Sequence, residues 1–274
     1  MTPVVLNDDL PPAGHTGNAN VSCYDEYYDK PEWWFRFRYD TQIKKRTCQS
    51  LVRRGGKSRH GQRVCELGFG SGAFLFSFPS DCVIHGLEIS HSAVSRAERI
   101  AHQRGYRSAR FDQVSGAALP LADRSVDIFA ASHVLEHVPN DIATLTEINR
   151  VLDDQGIAVI VVPINEKYED PNHARQYDLT SLCAAVLATG FDVIASMENE
   201  TLYYLVERFY FERYNTRWKL LGPMIVAAFN IPASLLPLSI CRFIDQIFNV
   251  CGMPARQLGV VVRKRSANEG SALR

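Results

Sequence analysis

The chain has 274 residues, 46% of them hydrophobic, and a formal net charge of zero at pH 7. This length and composition allow a single enzyme-sized domain with a substantial core. Because 30 basic residues balance 30 acidic ones, no broad positive field favours nucleic acid, and a nucleic-acid partner is not expected.

The first sixty residues divide into two segments. Residues 1–23 contain Pro11-Pro12 and Gly17-Asn18 but neither a basic start nor an apolar core of signal-peptide length, which predicts a flexible leader. Residues 24–60 are aromatic and basic at helix-compatible spacing and include Trp33-Trp34-Phe35. They predict a helical cover ahead of the first strand.

A glycine-rich turn follows, with the sequence VCELGFGSGA over residues 64–73. The turn predicts the end of a buried strand, a close backbone approach to a ligand, and a helix beginning near Ser71 that carries Leu75 and Phe76 inward. The same glycines satisfy the looser dinucleotide fingerprint, so they do not identify the cofactor by themselves.

An acidic residue stands on each side of this turn. Glu66 precedes the glycines, and Glu88 ends the next strand-like run, Cys82-Val83-Ile84-His85-Gly86-Leu87-Glu88. A carboxylate at the end of the second strand accepts hydrogen bonds from ribose hydroxyls, whether the ribose belongs to a dinucleotide or to S-adenosylmethionine.

Two further motifs are more specific. Residues 126–138 read VDIFAASHVLEHV, and residues 150–156 read RVLDDQG. With the glycine turn and Glu88, they make the chain resemble the class I, Rossmann-like S-adenosylmethionine-dependent methyltransferases of the small-molecule type. The resemblance covers roughly residues 60 to 198 and a last strand near 257 to 264.

The resemblance implies a set of cofactor contacts. Glu66 and the backbone of Gly68 and Gly70 would face the methionine end, Glu88 the ribose and Ile89 the adenine. Further implied contacts are Gly72, Ser115, Gly116, Ser132, Trp34 and Arg38. Ser115-Gly116 stand where the family often has Asp-Ala, which leaves the adenine amine to backbone groups or to Asp112.

Methyl transfer needs the nucleophile held in line with the methyl group and, for a hydroxyl, the removal of its proton. We expect His133 or His173 to act as the base. His137, Asn165 and Tyr177 are the expected acceptor contacts. No metal is expected, because no acidic cluster in the crevice resembles the ligand set of a cation-dependent enzyme.

The elements after the glycine turn alternate. Helices are predicted near 91–104, 140–153 and 178–189, and strands over 109–114, 126–132, 157–163 and 191–198. This order predicts an α/β fold with a doubly wound, mostly parallel seven-stranded sheet and helices on both faces. Its cofactor-binding core occupies 61–199, its last strand lies within 257–265, and a flexible tail covers 266–274.

Residues 200–256 form a long insertion before the last strand. Residues 220–241 contain no charged side chain, but Pro223, Pro232 and Pro237 interrupt them, and the chain must return to the sheet. We therefore expect a lid of broken apolar helices, a homodimer surface or a shallow membrane contact rather than a span.

The combined prediction is a cytoplasmic enzyme that transfers a methyl group from S-adenosylmethionine to an oxygen, or a nitrogen, of a hydrophobic or amphipathic small molecule in a biosynthetic pathway. Seven scattered cysteines without a Cys-x-x-Cys pair agree with a reducing compartment. Two alternatives stay open: an NAD-linked oxidoreductase, and a non-catalytic membrane-associated binding module on a methyltransferase core.

Overall fold

The computed structural model describes residues 24–115, 118–166, 172–201 and 221–266. The strands are β1 (Arg63–Leu67), β2 (Val83–Glu88), β3 (Ser108–Gln113), β4 (Val126–Ser132), β5 (Leu152–Pro163), β6 (Phe191–Asn199) and β7 (Gln257–Lys264). The helices are α1 (Glu32–Arg36), α2 (Tyr39–Arg54), α3 (His91–Gln103), α4 (Asp141–Val151), α5 (Leu179–Ala188), α6 (Leu221–Leu235) and α7 (Leu238–Val250). Residues 24–28 are also helical.

The strands form one seven-stranded sheet in the order β3-β2-β1-β4-β5-β7-β6. β1 pairs in parallel with β2 and β4, whereas β7 is antiparallel to both β5 and β6. The predicted α/β class and mostly parallel seven-stranded sheet are confirmed. The strand order reverses between β1 and β4, and in such sheets a ligand crevice opens at the carboxyl ends of the strands at this point.

Alternation along the strands builds a core on each face of the sheet. One core joins strand side chains to α2 and α3, through Val64, Ile128, Val159, Leu51 and Ala97. The other joins the intervening strand positions to α4 and α5, through Cys65, Phe129, Ile160, Leu145 and Leu182. The strands in the middle of the sheet are therefore buried on both faces, as their nearly continuous apolar sequences require.

Side-chain caps fix where three helices begin. Ser90 accepts a hydrogen bond from the backbone N–H of Ala93 at the start of α3, and Asn140 caps α4 in the same way. Asp178 and Ser181 form a reciprocal capping box at α5. These caps satisfy N–H groups that have no partner within the helix.

The prediction of a helix that begins near Ser71 is wrong. Gly68, Gly70 and Gly72 all have positive φ, at 66°, 46° and 70°, and only a 3-10 turn, Leu75–Ser77, follows them. Gly72 in a left-handed conformation and Pro79 bound this segment, so a regular helix has no room to form. Leu75 and Phe76 are nevertheless buried, as expected.

The helices α6 and α7 lie beside α2. Ala233 of α6 and Cys241 of α7 pack against Tyr39 and Ile43 of α2. In the described parts of the chain, no single helix is long and apolar enough to cross a membrane. The pair 227–235 and 238–250, bent by 120°, passes this test of length and composition only when taken together.

Candidate active site

A cavity of about 660 Å³ opens at the carboxyl ends of the central strands. It gathers most of the residues that the sequence predicts for the site: Arg38, Glu66, Gly68, Gly70, Glu88, Ile89, Ser115, Ser132, His133, His137 and His173. The glycine turn and Glu88 form one end, and the three histidines line the other. Segments far apart in the sequence therefore meet in one cavity.

Two predicted contacts, Trp34 and Gly72, are not among the residues that line this cavity. Trp34 lies on α1 with the Lys30 ammonium 5.6 Å from the centre of its ring, whereas its neighbour Phe35 does reach the cavity. Such a short helix directs different side chains to different sides, and Phe35 is its buried residue. The α-carbon of Gly72 faces the Phe76 ring, 2.7 Å from where a Cβ would stand.

Two of the predicted acceptor contacts are also placed elsewhere. The Tyr177 hydroxyl donates to Asp141 Oδ2 over 2.6 Å, which ties the segment before α5 to the start of α4. The Asn165 amide donates to the backbone oxygen of Ala255 over 2.9 Å. Both side chains hold loops together and do not line the cavity. Gly116 lies outside the described residues.

The two acidic residues are held by the backbone of the glycine segment. Glu88 accepts hydrogen bonds from the N–H of Gly70 at 2.7 Å and of Ile89 at 2.8 Å, and Glu66 accepts one from Leu75 at 3.1 Å. Burial raises the pKa of Glu88, and it raises that of Glu66 well above the usual range. The carboxylates are fixed in place beside the turn, and their remaining lone pairs can accept from ligand hydroxyls.

The helical segment 24–28 covers the glycine turn. The Tyr28 hydroxyl lies 2.5 Å from the position that a Cβ on Gly70 would occupy. Asp25 accepts hydrogen bonds from the Ser90 hydroxyl at 2.6 Å and from the N–H of Ser92 at 3.0 Å. These contacts fasten the segment to the loop after β2, directly above the cofactor end of the cavity.

Arg38 lines the same end but is engaged by its neighbour. Its guanidinium donates two hydrogen bonds of 2.9 Å to the carboxylate of Asp40 and lies 5.7 Å from the Tyr27 ring. Although burial opposes the effect, the charge and hydrogen bonds of Arg38 lower the pKa of Asp40 to about 2. Arg38 is thus a buried cation, paired with Asp40, in the lining of the cavity.

At the other end, Glu136 is surrounded by histidines. It is only 1% exposed, and among the described residues neither of its oxygens has a hydrogen-bond partner. His133 Nδ1 lies 3.6 Å and His137 Nε2 3.9 Å from its Oε1. Burial raises the pKa of Glu136 to about 7, because the charged form is poorly solvated there.

Each of the three histidines has one ring nitrogen close to an oxygen acceptor. His133 Nε2 lies 3.2 Å from the Gln257 side-chain oxygen, and His137 Nδ1 lies 3.3 Å from the backbone oxygen of Asn172. His173 Nδ1 lies 2.9 Å from a Glu166 carboxylate oxygen. These oxygens accept hydrogen bonds, so each of these nitrogens is a donor, and in a neutral ring the other nitrogen carries the lone pair. Burial lowers the pKa of His133 well below its usual value.

Glu136 and Lys44 are two of the cavity residues that sequence reasoning missed. Glu136 stands inside the recognised Leu-Glu-His-Val motif, and that motif was the available signal. Lys44 and its neighbour Lys45 line the cavity as well, although a run of basic residues at 44–46 gives no sign that any of them lines a cavity. Asp112, the open alternative for the adenine, instead contacts His85 Nε2 at 2.6 Å and is not among the cavity residues.

The sheet with its antiparallel β7, the glycine turn and the acid that ends β2 define the class: a Rossmann-like, S-adenosylmethionine-dependent methyltransferase. Within that class, the family model described as "Methyltransferase domain" matches residues 58–209. This match covers more than half of the chain, and the chain belongs to that family.

Curated relatives support the same family. The chain is 34% identical over 106 residues to an uncharacterized methyltransferase of Mycolicibacterium vanbaalenii, covering 38% of this chain and 40% of the relative. It is 26% identical over 146 residues to the uncharacterized methyltransferase YcgJ of Bacillus subtilis, covering 47% of this chain and 57% of the relative. The match thus spans about half the length of these relatives.

Solved structures show the same fold. The structure of YcgJ superposes with a TM-score of 0.53 at 17% identity, covering 81% of this chain and 99% of that one. The structure described as the [4+2]-cyclase SpnF gives a TM-score of 0.57 at 19% identity, covering 81% of both chains. Because one of these proteins is described as a cyclase, the fold alone does not fix the reaction.

Proposed function

We propose that this protein transfers the methyl group of S-adenosylmethionine to an oxygen, or a nitrogen, of an apolar or amphipathic small molecule in a biosynthetic pathway. One observation carries the proposal: a single cavity of about 660 Å³ joins the glycine turn and Glu88 to an end lined by His133 and His173. This volume lies within the range of about 300–1,000 Å³ that is usual for small-molecule pockets.

The cofactor end fits S-adenosylmethionine by its shape and its acceptors. Gly68 and Gly70 both line the cavity, and Glu88 offers carboxylate oxygens for two ribose hydroxyls. We assign Glu66 and the glycine backbone to the methionine portion, and Ile89 and Ser115 to the adenine. When bound, the cofactor supplies an electrophilic methyl group on a sulfonium.

The acceptor end supplies a group that can take the acceptor proton. His133 and His173 both line the cavity, and each has a ring nitrogen fixed by an oxygen, which orients the other nitrogen. This arrangement suits a general base acting on a hydroxyl. One of these two imidazoles therefore removes the proton as the acceptor oxygen attacks the methyl carbon.

Calorimetric titration with S-adenosylmethionine, S-adenosylhomocysteine and NAD tests the cofactor assignment. We expect the first two to bind and NAD not to bind. Glu88→Ala should weaken the first two at least tenfold, and Glu98→Ala, an exposed position on α3, should leave them unchanged. Binding of NAD alone, or no binding by the wild-type protein, would overturn the proposal. An acceptor screen weighted toward apolar hydroxyl compounds then follows.

We also propose a cytoplasmic protein that touches a membrane through the outer face of α6 and α7, where an apolar acceptor would be collected. Ile240, Phe243, Ile247 and Val250 form one helical stripe on α7, and Phe243 is 63% and Val250 90% exposed. Residues spaced by three or four share one face of a helix. An exposed apolar stripe of this kind is typical of an interfacial contact.

Sedimentation with lipid vesicles tests this contact. Phe243→Asp should reduce vesicle binding several-fold, whereas Leu187→Asp, at an exposed apolar position on α5, should not. Light scattering after size-exclusion chromatography distinguishes a membrane contact from a homodimer surface. If the wild-type protein is a dimer that does not bind vesicles, and Phe243→Asp converts it to a monomer, the stripe is a homodimer surface instead.

A further inference from the structure

We propose that Glu136, His137 and His173 form a binding site for a divalent transition-metal cation at the acceptor end of the cavity. One ligand atom from each residue lies within 4.8 Å of the other two. Two imidazoles and one carboxylate are a ligand set that suits Zn²⁺, Mn²⁺ or Fe²⁺ and leaves coordination positions open. The sequence predicts no metal, because it shows no acidic cluster in the crevice. A site made of two imidazoles and one carboxylate does not require such a cluster.

The first observation is the state of Glu136. Its side chain is 1% exposed, and within the described residues both of its oxygens lack a hydrogen-bond partner. The nearest imidazole nitrogens, at 3.6 and 3.9 Å, are too far away for hydrogen bonds. Buried carboxylates are normally hydrogen-bonded, paired or metal-bound. A cation in the cavity would supply the missing compensation.

The second observation is the outer contact of each imidazole. His137 donates from Nδ1 to the Asn172 backbone oxygen at 3.3 Å, and His173 donates from Nδ1 to Glu166 at 2.9 Å. In a neutral ring this places the lone pair on Nε2, the nitrogen that would bind a cation. Metal-ligating histidines characteristically donate their other N–H to a backbone oxygen or a carboxylate.

The spacing is compatible with closure around an ion. The rings of His137 and His173 lie 4.7 Å apart, with 73° between their planes. With metal–ligand bonds of about 2.1 Å, the atoms of a tetrahedral set stand about 3.4 Å apart. Side-chain movements of about an ångström would bring the three atoms to that spacing. All three residues line the cavity, so the open positions face the acceptor.

The consequence for the reaction rests on the proposed function. A hydroxyl bound to a divalent cation loses its proton more readily. The acceptor proton would pass to His133, which is outside the ligand set. The acceptor oxygen then forms its bond to the methyl carbon as the carbon–sulfur bond breaks, and that electron pair goes to sulfur. This assigns His173 to the cation and His133 to the base.

Titration with Co²⁺, followed by its visible spectrum, and with Zn²⁺, followed by calorimetry, tests the site on metal-stripped full-length protein without cofactor. We expect one equivalent to bind. His137→Ala and His173→Ala should each weaken binding at least 100-fold, and Glu166→Gln about tenfold, as for other second-layer partners. The matched control is His102→Ala, at an exposed position on α3.

Two readouts keep the outcomes separable. If an alanine variant fails to fold by circular dichroism, His173→Gln replaces it, and the Co²⁺ spectrum of the wild-type protein still reports imidazole ligands. Absent Co²⁺ binding, or equal binding by the folded variants, would overturn the metal site. S-adenosylmethionine binding is measured separately, so its presence without Co²⁺ binding rejects the cation and keeps the methyltransferase proposal. If the wild-type protein does not bind S-adenosylmethionine, the methyltransferase proposal is rejected instead.

Discussion

Gly68 shows how closely the cofactor turn is packed. Its φ is 66°, and a Cβ there would stand 2.3 Å from a methyl group of Val134. Any other L-residue would be strained by the backbone conformation and would also press on the loop after β4. The turn after β1 and the loop after β4 therefore fix each other, and both line the cavity.

We expect Gly68→Ala to lower the free energy of unfolding by about 2–4 kcal/mol and to weaken S-adenosylmethionine binding more than tenfold. Gly56→Ala is the matched control, because φ is 74° there but nothing lies within 4 Å of the added Cβ, so it reports backbone strain alone. Urea unfolding and calorimetry measure both effects. Equal behaviour of the two variants would show that contact with Val134 is unimportant.

His133 is the residue that we propose as the general base. It has φ of 56°, which is uncommon for a residue other than glycine, and its Nε2 is held by Gln257. We expect His133→Asn to reduce kcat by about 10²–10⁴-fold, the usual contribution of a general base. The affinity for S-adenosylmethionine should stay within about threefold of wild type. A kcat that falls less than about threefold would exclude His133 as the base.

Among the elements, α4 is tied to the loop before β4 by one arginine. Arg150 donates to Leu121 O at 2.8 Å and Leu119 O at 3.1 Å, and it pairs with Glu147 at 2.7 Å. Glu147 accepts in turn from the N–H of Leu119 at 2.9 Å. The hydrogen bonds from Arg150 lower the pKa of Glu147 to about 2. This network holds residues 119–121 against the helix.

The pKa of Glu147 predicts a pH-dependent contribution to stability. A depressed carboxyl pKa stabilises the fold above the unfolded value of about 4.3, and the contribution is lost as pH falls toward about 2. After allowance for solvent screening of this partly exposed pair, Glu147→Gln should lower the free energy of unfolding by about 1 kcal/mol at pH 7. The difference should close near pH 2. Urea unfolding between pH 2 and pH 7, with Glu98→Gln as the control, measures this difference in stability. A difference that does not change with pH would contradict the prediction.

For the molecule as a whole, cofactor binding and folding are linked, because the cavity is built from segments far apart in the chain. A ligand that binds only the folded state stabilises it by about 2.7 kcal/mol at 100 times its Kd. For a domain of this size, that corresponds to a rise in Tm of roughly 5–10 °C. We expect this rise with S-adenosylmethionine and its absence with NAD.

Glu88→Ala provides the control for this shift. The variant should show no more than about half of the Tm rise at the same cofactor concentration, because the acid that ends β2 no longer accepts from the ribose and binding is at least tenfold weaker. Thermal unfolding followed by circular dichroism measures both proteins. An undiminished shift in Glu88→Ala would mean that the cofactor is held without this carboxylate.

Local patterns in the sequence determined most of the fold. Strands β4 and β7 lie at 126–132 and 257–264 as expected, since buried apolar runs bounded by polar residues are local signals. The positions of Glu66, Glu88 and the glycines also follow from short motifs. The prediction of a helix near Ser71 is wrong because three glycines with positive φ, at every second position, and Pro79 override the apolar spacing that favours a helix.

Only the tertiary structure decided which side chains share the cavity. Trp34 and Phe35 are adjacent and both aromatic, yet helix orientation sends only Phe35 inward. Tyr177 lies before α5 as a substrate contact would, but a hydrogen bond to Asp141 holds its hydroxyl elsewhere. Glu136 and His137 are joined by His173, which is far along the chain, in one cluster. Burial and pairing between distant segments depend on the packed fold, so no local pattern can encode them.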